Sequence, residues 1–460
     1  MSKKITEKNL VTQLTDNYSV ILDAGGAVRR MKIPDFRTQL DKDDKQVLQD
    51  LAFYIDINTA SSYSTNQSLR VDVGGNLHMQ AIWAASRELI LMDDKGNYCR
   101  LNQNDARYTE DGEAIVDLET GAILEKWNHC DIMEIIPEYY GRIQTITVSG
   151  TTLLRPWFSL VPLPGGYTIP RQVVGKFKCS SVSGKLRSLP NYTPHNNITI
   201  RAFWDLAQAR SKNHGLANAD FRDWLLFYSM STYGWRSSQQ AQASDGTTVW
   251  GVGLDGTENT TGASGDGNAR QGSIVTGATL SLGINDGKVA VLDSAGGTCH
   301  KVNVAGFEDP WGQKWEMVQG LCSVGTDVYR WRSNFVPPTS SNPTADTFAN
   351  IEHVVLQRST TANVYSKMNT IESGVGQGMY MVPSGSQNNT DYGDYYSYAA
   401  SGQLWRFGGD AYNGAMCGLA DSSSNAVWSA AHSALSARLA YYGDINKVSP
   451  SRLAELKNAA

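Results

Sequence analysis

No apolar run in the sequence approaches the roughly 18 to 20 residues that cross a bilayer as a helix, so no membrane insertion is expected. The opening stretch, residues 1–10, is polar and holds no apolar h-region, so no secretory signal is expected either. Cysteine is sparse: six residues, at 99, 130, 179, 299, 322 and 417, with no Cys-x-x-Cys pair. That spacing excludes a disulfide scaffold and a zinc ribbon, and it predicts reduced, buried thiols. Charge is scarce as well. Only 18% of the 460 residues are charged and the net charge is −5, which gives no attraction to phosphate backbones, and no nucleic acid partner is expected. What is abundant is apolar and aromatic. With 12 Trp, 21 Tyr and 41% hydrophobic residues, the chain can bury a sizeable core, and its length suggests two or three domains.

The charge that exists is concentrated at one end. Of the first 50 residues 17 are charged, and among them a short apolar strand at 18–22, Gly25-Gly26 and a second strand predict a hairpin. A polar helix is predicted near 34–40. So small a unit cannot bury a core alone, so residues 1–50 read as an attachment and oligomerisation segment, most simply that of a homotrimer. Residues 51–88 read as a small β connector, 89–446 as the main domain, and 447–460 as a C-terminal helix opening at Ser449-Pro450. Within the main domain two helices are predicted. One covers 200–210, with Asn197 or Thr199 as its cap. The other covers 220–233, with Asn218 as cap and Gly234 just past its end. In the second, Phe221, Trp224, Leu225 and Tyr228 recur at the spacing of one buried stripe. A Gly/Ser/Thr-rich insertion over 239–304 is expected to form hairpins and surface loops.

Catalytic and cofactor motifs are missing or misplaced. Gly251-Val252-Gly253-Leu254-Asp255-Gly256 matches G-x-G-x-x-G, but no helix pattern follows to hold a pyrophosphate at its N-terminus. Asp255, Glu258, Asp266 and Asp286 lie in Gly-rich loops without the EF-hand order and read as turn residues. The seven His have no paired spacing, no G-x-S-x-G elbow occurs, and Asp391 with Asp394 reads as part of a Tyr-rich loop. No metal, cofactor or enzymatic activity is therefore expected.

Four segments carry more information. They are His129-Cys130-Asp131 through Pro137-Glu138-Tyr139-Tyr140, Phe307-Glu308-Asp309-Pro310-Trp311-Gly312, Leu404-Trp405-Arg406-Phe407-Gly408-Gly409, and Ser436-Ala437-Arg438-Leu439-Ala440-Tyr441. In this order, with residues 102–112 just upstream of the first and the two helices between the first and second, the set resembles the C-type-lectin-like module of bacteriophage tail and fibre proteins, over residues 89–443. The leading segment 16–40 likewise looks like the part of phage structural proteins that fastens them to the particle. The resemblance implies an α+β fold, a two-helix lectin-like domain with antiparallel strands behind a small anchoring segment. Formylglycine-generating enzymes share that fold. Their oxidation needs a pair of thiols near the end of the domain, and here Cys417 stands alone.

The resemblance also singles out a site. Residues 408–433 comprise six Ala, five Ser, four Gly, two Asp, two Asn and one each of seven others, with no Lys, Arg or Glu. Small polar residues with interspersed aromatics suit a paratope. Asp410, Tyr412, Asn413, Asp421, Ser422, Ser424, Asn425, Trp428 and His432 are the receptor contacts it implies. The expected protein is a virion fibre or receptor-binding protein, made in the host cytoplasm, that binds a bacterial surface glycan or protein. Its N-terminus would hold other virion proteins, and several copies would supply avidity. The alternative is a structural fibre or capsid-decoration protein that binds no receptor.

Overall fold

The computed structural model of the chain describes residues 19–23, 28–32, 52–58, 72–75, 79, 82–83 and 86–457. Within the last span it leaves out 236, 244, 252–272, 295, 332–335, 350, 361–363, 366–368, 372–375, 384–393, 412 and 414–416. The predicted helix near 34–40 and contact residue Tyr412 therefore lie outside the described residues.

The hairpin expected near the start is present: β1 (Ser19–Asp23) pairs antiparallel with β2 (Val28–Lys32), Ser19 opposite Lys32. The next strands are β3 (Ala52–Asp56), β4 (Asp72–Gly75), β5 (Glu88–Met92), β6 (Asn97–Arg100), β7 (Asp131–Ile136), β8 (Tyr139–Val148), β9 (Thr151–Ser159), β10 (Tyr167–Ile169) and β11 (Gln172–Lys178). β8 and β9 make a long hairpin whose two-residue turn, Ser149-Gly150, has φ of +50° and +81°. Positive φ at both central positions matches the right-handed twist of the strands, and glycine adopts it without strain. This hairpin, with β10 on one side and β3 then β4 on the other, forms a five-stranded sheet. Strand alternation turns Phe158 inward, where it stacks on Tyr139 at 4.8 Å. The intervening Trp157 packs on Tyr54 of β3.

A second sheet of 14 strands dominates the molecule. Its central strand is Leu435–Tyr441, all seven residues buried. That strand runs parallel to Trp315–Val324, with Trp315 opposite Leu435, and antiparallel to β11, with Val173 opposite Tyr441. Beyond Trp315–Val324 the order continues through Leu404–Phe407, Ser422–Ala426 and Tyr395–Tyr398; beyond β11 it continues through β7, β5 and β6. A strand buried on both faces must satisfy any charge it carries internally. Arg438 does so through Glu316 at 3.1 Å and the backbone carbonyls of Gly175, Lys176 and Glu308.

The helices follow their local signals. α1 (Ile200–Gln208) is capped by Thr199, whose side chain accepts from Ala202 N. α2 (Ala219–Tyr233) is capped by Asn218, which accepts from Phe221 N, and ends at Gly234 with φ +71°. α3 (Pro450–Leu456) begins at the Ser449 cap. Phe221, Trp224, Leu225 and Tyr228 are buried, but so are Asp220, Arg222, Leu226, Phe227 and Met230: α2 is covered on all sides and not along the single stripe expected.

Three further expectations need correction. The fold is β-rich, with 40% strand against 15% helix and large multi-stranded sheets, and not the two-helix α+β lectin-like domain that the resemblance implied. Of the expected connector 51–88, the strands β3 and β4 do not stand apart: β3 pairs with β9, with Phe53 opposite Phe158, and shares its core. The 239–304 insertion is more than surface loop. Trp250, Thr279, Leu280, Cys299, Val302 and Val304 from it are buried, and the half-buried Asp286 accepts from the Tyr228 and Tyr233 hydroxyls at 2.7 and 2.6 Å. Turn-rich composition concealed these anchors because each is a single residue among many polar ones. All six cysteines are buried and none forms a disulfide.

Candidate functional site

Of the nine residues implied as receptor contacts, Tyr412 lies outside the described residues and the other eight do not form one surface. Asp410, Asp421, Ser422, Ser424 and Trp428 are buried, Asn413 is half-buried, and only Asn425 and His432 are exposed. The cause is strand placement. Ser422–Ala426 is an interior strand of the large sheet, with Ser422 opposite both Phe407 and Tyr396. Its serines are small because Tyr396, Trp405 and Phe407 fill the space around them, and Ser424 Oγ lies 2.8 Å from the Tyr396 hydroxyl. Trp428 packs into the core and donates Nε1 to Pro338 O at 3.1 Å. Asn413 Oδ1 accepts from Asp410 N at 2.9 Å, so these two brace a turn. Burial, with the neighbouring Asp394 and Asp410 charges, raises Asp421 well above the carboxylate range. Buried side chains cannot touch a receptor in this arrangement. Asn425, which accepts from Arg406 at 2.8 Å, and His432 remain on the outside.

A different place gathers chemistry. At the corner of the five-stranded sheet, the inner face of β8, β9 and β10 meets the first half of α2, Arg330, and the strand Gly378–Tyr380. Between them is a small cleft whose enclosed free volume is about 30 Å³. Seven aromatic residues shape it: Tyr139, Trp157, Phe158, Tyr167, Trp224, Phe227 and Tyr380. Gly141 makes room for one wall, because a Cβ there would sit among the ring atoms of Tyr167.

Polar groups enter from one side only. Asp220 and Asp223 lie one turn apart on α2 and share the Arg330 guanidinium: Asp223 Oδ2 is 2.7 Å from Nη2, and Asp220 Oδ1 meets the same nitrogen. The other oxygen of Asp223 accepts from Met381 N at 2.8 Å, which ties α2 to the strand carrying Tyr380. Burial pushes Asp223 up to about 6, with Arg330 opposing the rise. Burial also works against the Arg330 charge, but Asp223 and Asp220 outweigh it and hold its pKa above the usual range. The guanidinium lies over the Tyr380 ring, 4.5 Å from its centre.

Two donors of this cleft are left over. Trp224 Nε1 and Arg330 Nε are buried with no hydrogen-bond partner. A buried N–H without an acceptor costs about 1–3 kcal/mol. Sequence reading had Trp224 only as core, and nothing local joins it to Arg330 and Tyr380, which lie more than a hundred residues away. The Asp220-Asp223-Trp224-Phe227 spacing of acid and aromatic on one helix side was the one available signal.

Among the described residues no group of three His, Cys, Asp or Glu side chains is placed to hold a metal ion, and no helix is long and apolar enough to cross a membrane. No family model matches the chain, and no curated protein matches it.

Proposed function

We propose that the chain is a non-enzymatic recognition protein of a bacteriophage particle that attaches it to a bacterial surface by holding a glycan in the aromatic cleft. The observation that carries this reading is the pair of orphaned donors, Trp224 Nε1 and Arg330 Nε, on walls otherwise made of aromatic rings. A sugar offers both complements: C–H faces that lie against rings, and hydroxyl oxygens that accept from fixed N–H groups. The resemblance of the ordered motifs to those of phage tail and fibre proteins suggests the setting. So small a cleft takes only the edge of one sugar, so firm attachment would come from several copies on a particle.

The test is calorimetric titration of the full chain with oligosaccharides from bacterial envelopes. Trp224→Phe keeps a ring and removes the donor, and it should weaken binding about tenfold if one good hydrogen bond is lost. Absence of saccharide binding, or full affinity in Trp224→Phe, overturns the reading. Shortened polysaccharide chains after incubation would make the protein an enzyme instead. Antibody labelling of particles should mark a tail or fibre tip; no labelling of particles removes the virion assignment.

A further inference from the structure

We infer that Lys176 and Asn303 become joined by an intramolecular isopeptide bond, made by the folded chain itself with loss of ammonia. The bond ties β11 of the large sheet to the strand Thr298–Val304 of the three-stranded sheet, across 127 residues of sequence.

A buried lysine without a contacting counter-charge points to it. Lys176, Asn303 and the neighbouring Thr279 are all closed to solvent. Lys176 Nζ donates to Asn303 Oδ1 at 2.8 Å, to Gly283 O at 3.1 Å and to Gly306 O, three neutral acceptors. Lys301 nearby is held otherwise, by Glu308 at 3.1 Å and Asp309 at 2.6 Å. A buried charge that touches no opposite one is costly. Burial accordingly pushes Lys176 down to about 8, with the more distant Glu308 and Glu134 charges opposing the fall. Near pH 8 about half of it is free amine, a nucleophile. A C=O bond is about 1.2 Å long, so a nitrogen 2.8 Å from Oδ1 lies within about 4 Å of Cγ, the carbon it attacks. Asn303 Nδ2 donates at 3.2 Å to the same Gly283 carbonyl that holds Nζ, and at 2.7 Å to Asn285 O. The attacking and leaving nitrogens thus share one anchor. The Thr279 hydroxyl stands between Asn303 Oδ1, at 3.2 Å, and Glu308 Oε2, at 2.9 Å; turned toward Oδ1, it donates to the oxygen that gains charge during attack. Trp250 Nε1 donates to Asn303 O at 2.8 Å and fixes the backbone of the acceptor. In the reaction Nζ bonds to Cγ, its surplus proton passes to Nδ2, the Cγ–Nδ2 bond breaks and ammonia leaves. A neutral secondary amide replaces the buried ammonium, and nothing is oxidised or reduced. The step runs once per chain, so held proximity supplies the rate it needs.

Mass spectrometry of the purified full chain reads the bond directly. The wild type should be lighter than its sequence, with or without the first methionine, by about 17 Da, the mass of one ammonia. Digestion should release a branched peptide that joins the segment around Lys176 to the segment around Asn303, with no tryptic cut after Lys176. Lys176→Met cannot form the bond and should keep its full sequence mass. A wild-type chain at its full sequence mass overturns the inference. So does an ammonia loss that persists in Lys176→Met or maps to other residues. If the variant fails to fold, the branched peptide of the wild type decides alone: its presence supports the bond and its absence overturns it.

Discussion

Arg438 and Glu316 face each other 3.1 Å apart at the centre of the large sheet, and neither side chain is open to solvent. Arg222 stands on the far side of the same carboxylate, 3.9 Å from its other oxygen. Burial raises the carboxyl, but Arg438 and then Arg222 prevail and hold Glu316 below its usual range. Removing one partner of such a pair strands a buried charge, which costs about 3–5 kcal/mol. Arg438→Met and Glu316→Gln should each lower the unfolding free energy by that much, read as a lower urea midpoint at unchanged slope. The double variant should lose less than the sum, because the second change removes the charge stranded by the first. Additive losses would show that the two side chains do not interact.

Trp428 and its two exposed neighbours in the 408–433 segment should behave oppositely. Trp428→Ala empties a core position and should cost about 3–5 kcal/mol. Asn425→Ala and His432→Ala change exposed side chains and should stay within about 0.5 kcal/mol of the parent. Thermal melts measure all three. If the two stable variants also lose attachment to cells, this edge contributes to contact after all. Deleting the whole segment cannot ask that question, since it removes an interior strand.

Asp394 gives a pH signature. Burial pushes its carboxyl up to about 7, while hydrogen bonds from Ala420 N and the Ser238 hydroxyl oppose the rise. The unfolded chain releases this proton near 3.8, so between about pH 4 and 7 the folded state binds more protons. Stability from this group is therefore present below pH 4 and lost as pH rises toward 7. Asp394→Asn removes that dependence. Relative to the wild type, the variant should gain on the order of 3 kcal/mol between pH 4 and pH 8, read from denaturation midpoints. A pH-independent difference would place the carboxyl near its ordinary value.

Gly408 closes against the Pro310 turn: Gly312 N donates to Gly408 O at 2.9 Å, and a Cβ on Gly408 would lie 2.6 Å from Pro310 O. Its φ is +88°, a conformation that side chains disfavour. Gly408→Ala should cost about 2 kcal/mol or more, seen as a lower melting temperature. An unchanged melt would mean the turn relaxes freely.

Local chemistry was legible in the sequence, and long-range pairing was not. Thr199, Asn218, Gly234 and Ser449 mark helix ends because capping is settled within four residues. The motif Asp309-Pro310-Trp311-Gly312 was recognisable too, but not its role: Lys178 donates to the carbonyls of Asp309 and Gly312 at 2.6 and 2.8 Å, from a strand more than a hundred residues earlier. The 408–433 segment misled because small polar residues suit an adaptable surface and a tightly flanked strand equally well. Which one applies depends on Tyr396, Trp405 and Phe407, and only the fold brings them there. The cleft was hidden for the same reason, its walls being drawn from β8, β9, β10, α2, Arg330 and Tyr380.

The position of Leu435–Tyr441 has a consequence for biosynthesis. A ribosome makes β11 and Trp315–Val324 long before the strand that must lie between them. Until residue 441 emerges, two hydrogen-bonding edges rich in apolar residues wait open, and such edges recruit other chains. Nascent copies of this protein should depend on chaperones, or on slow release, until that last strand slides home.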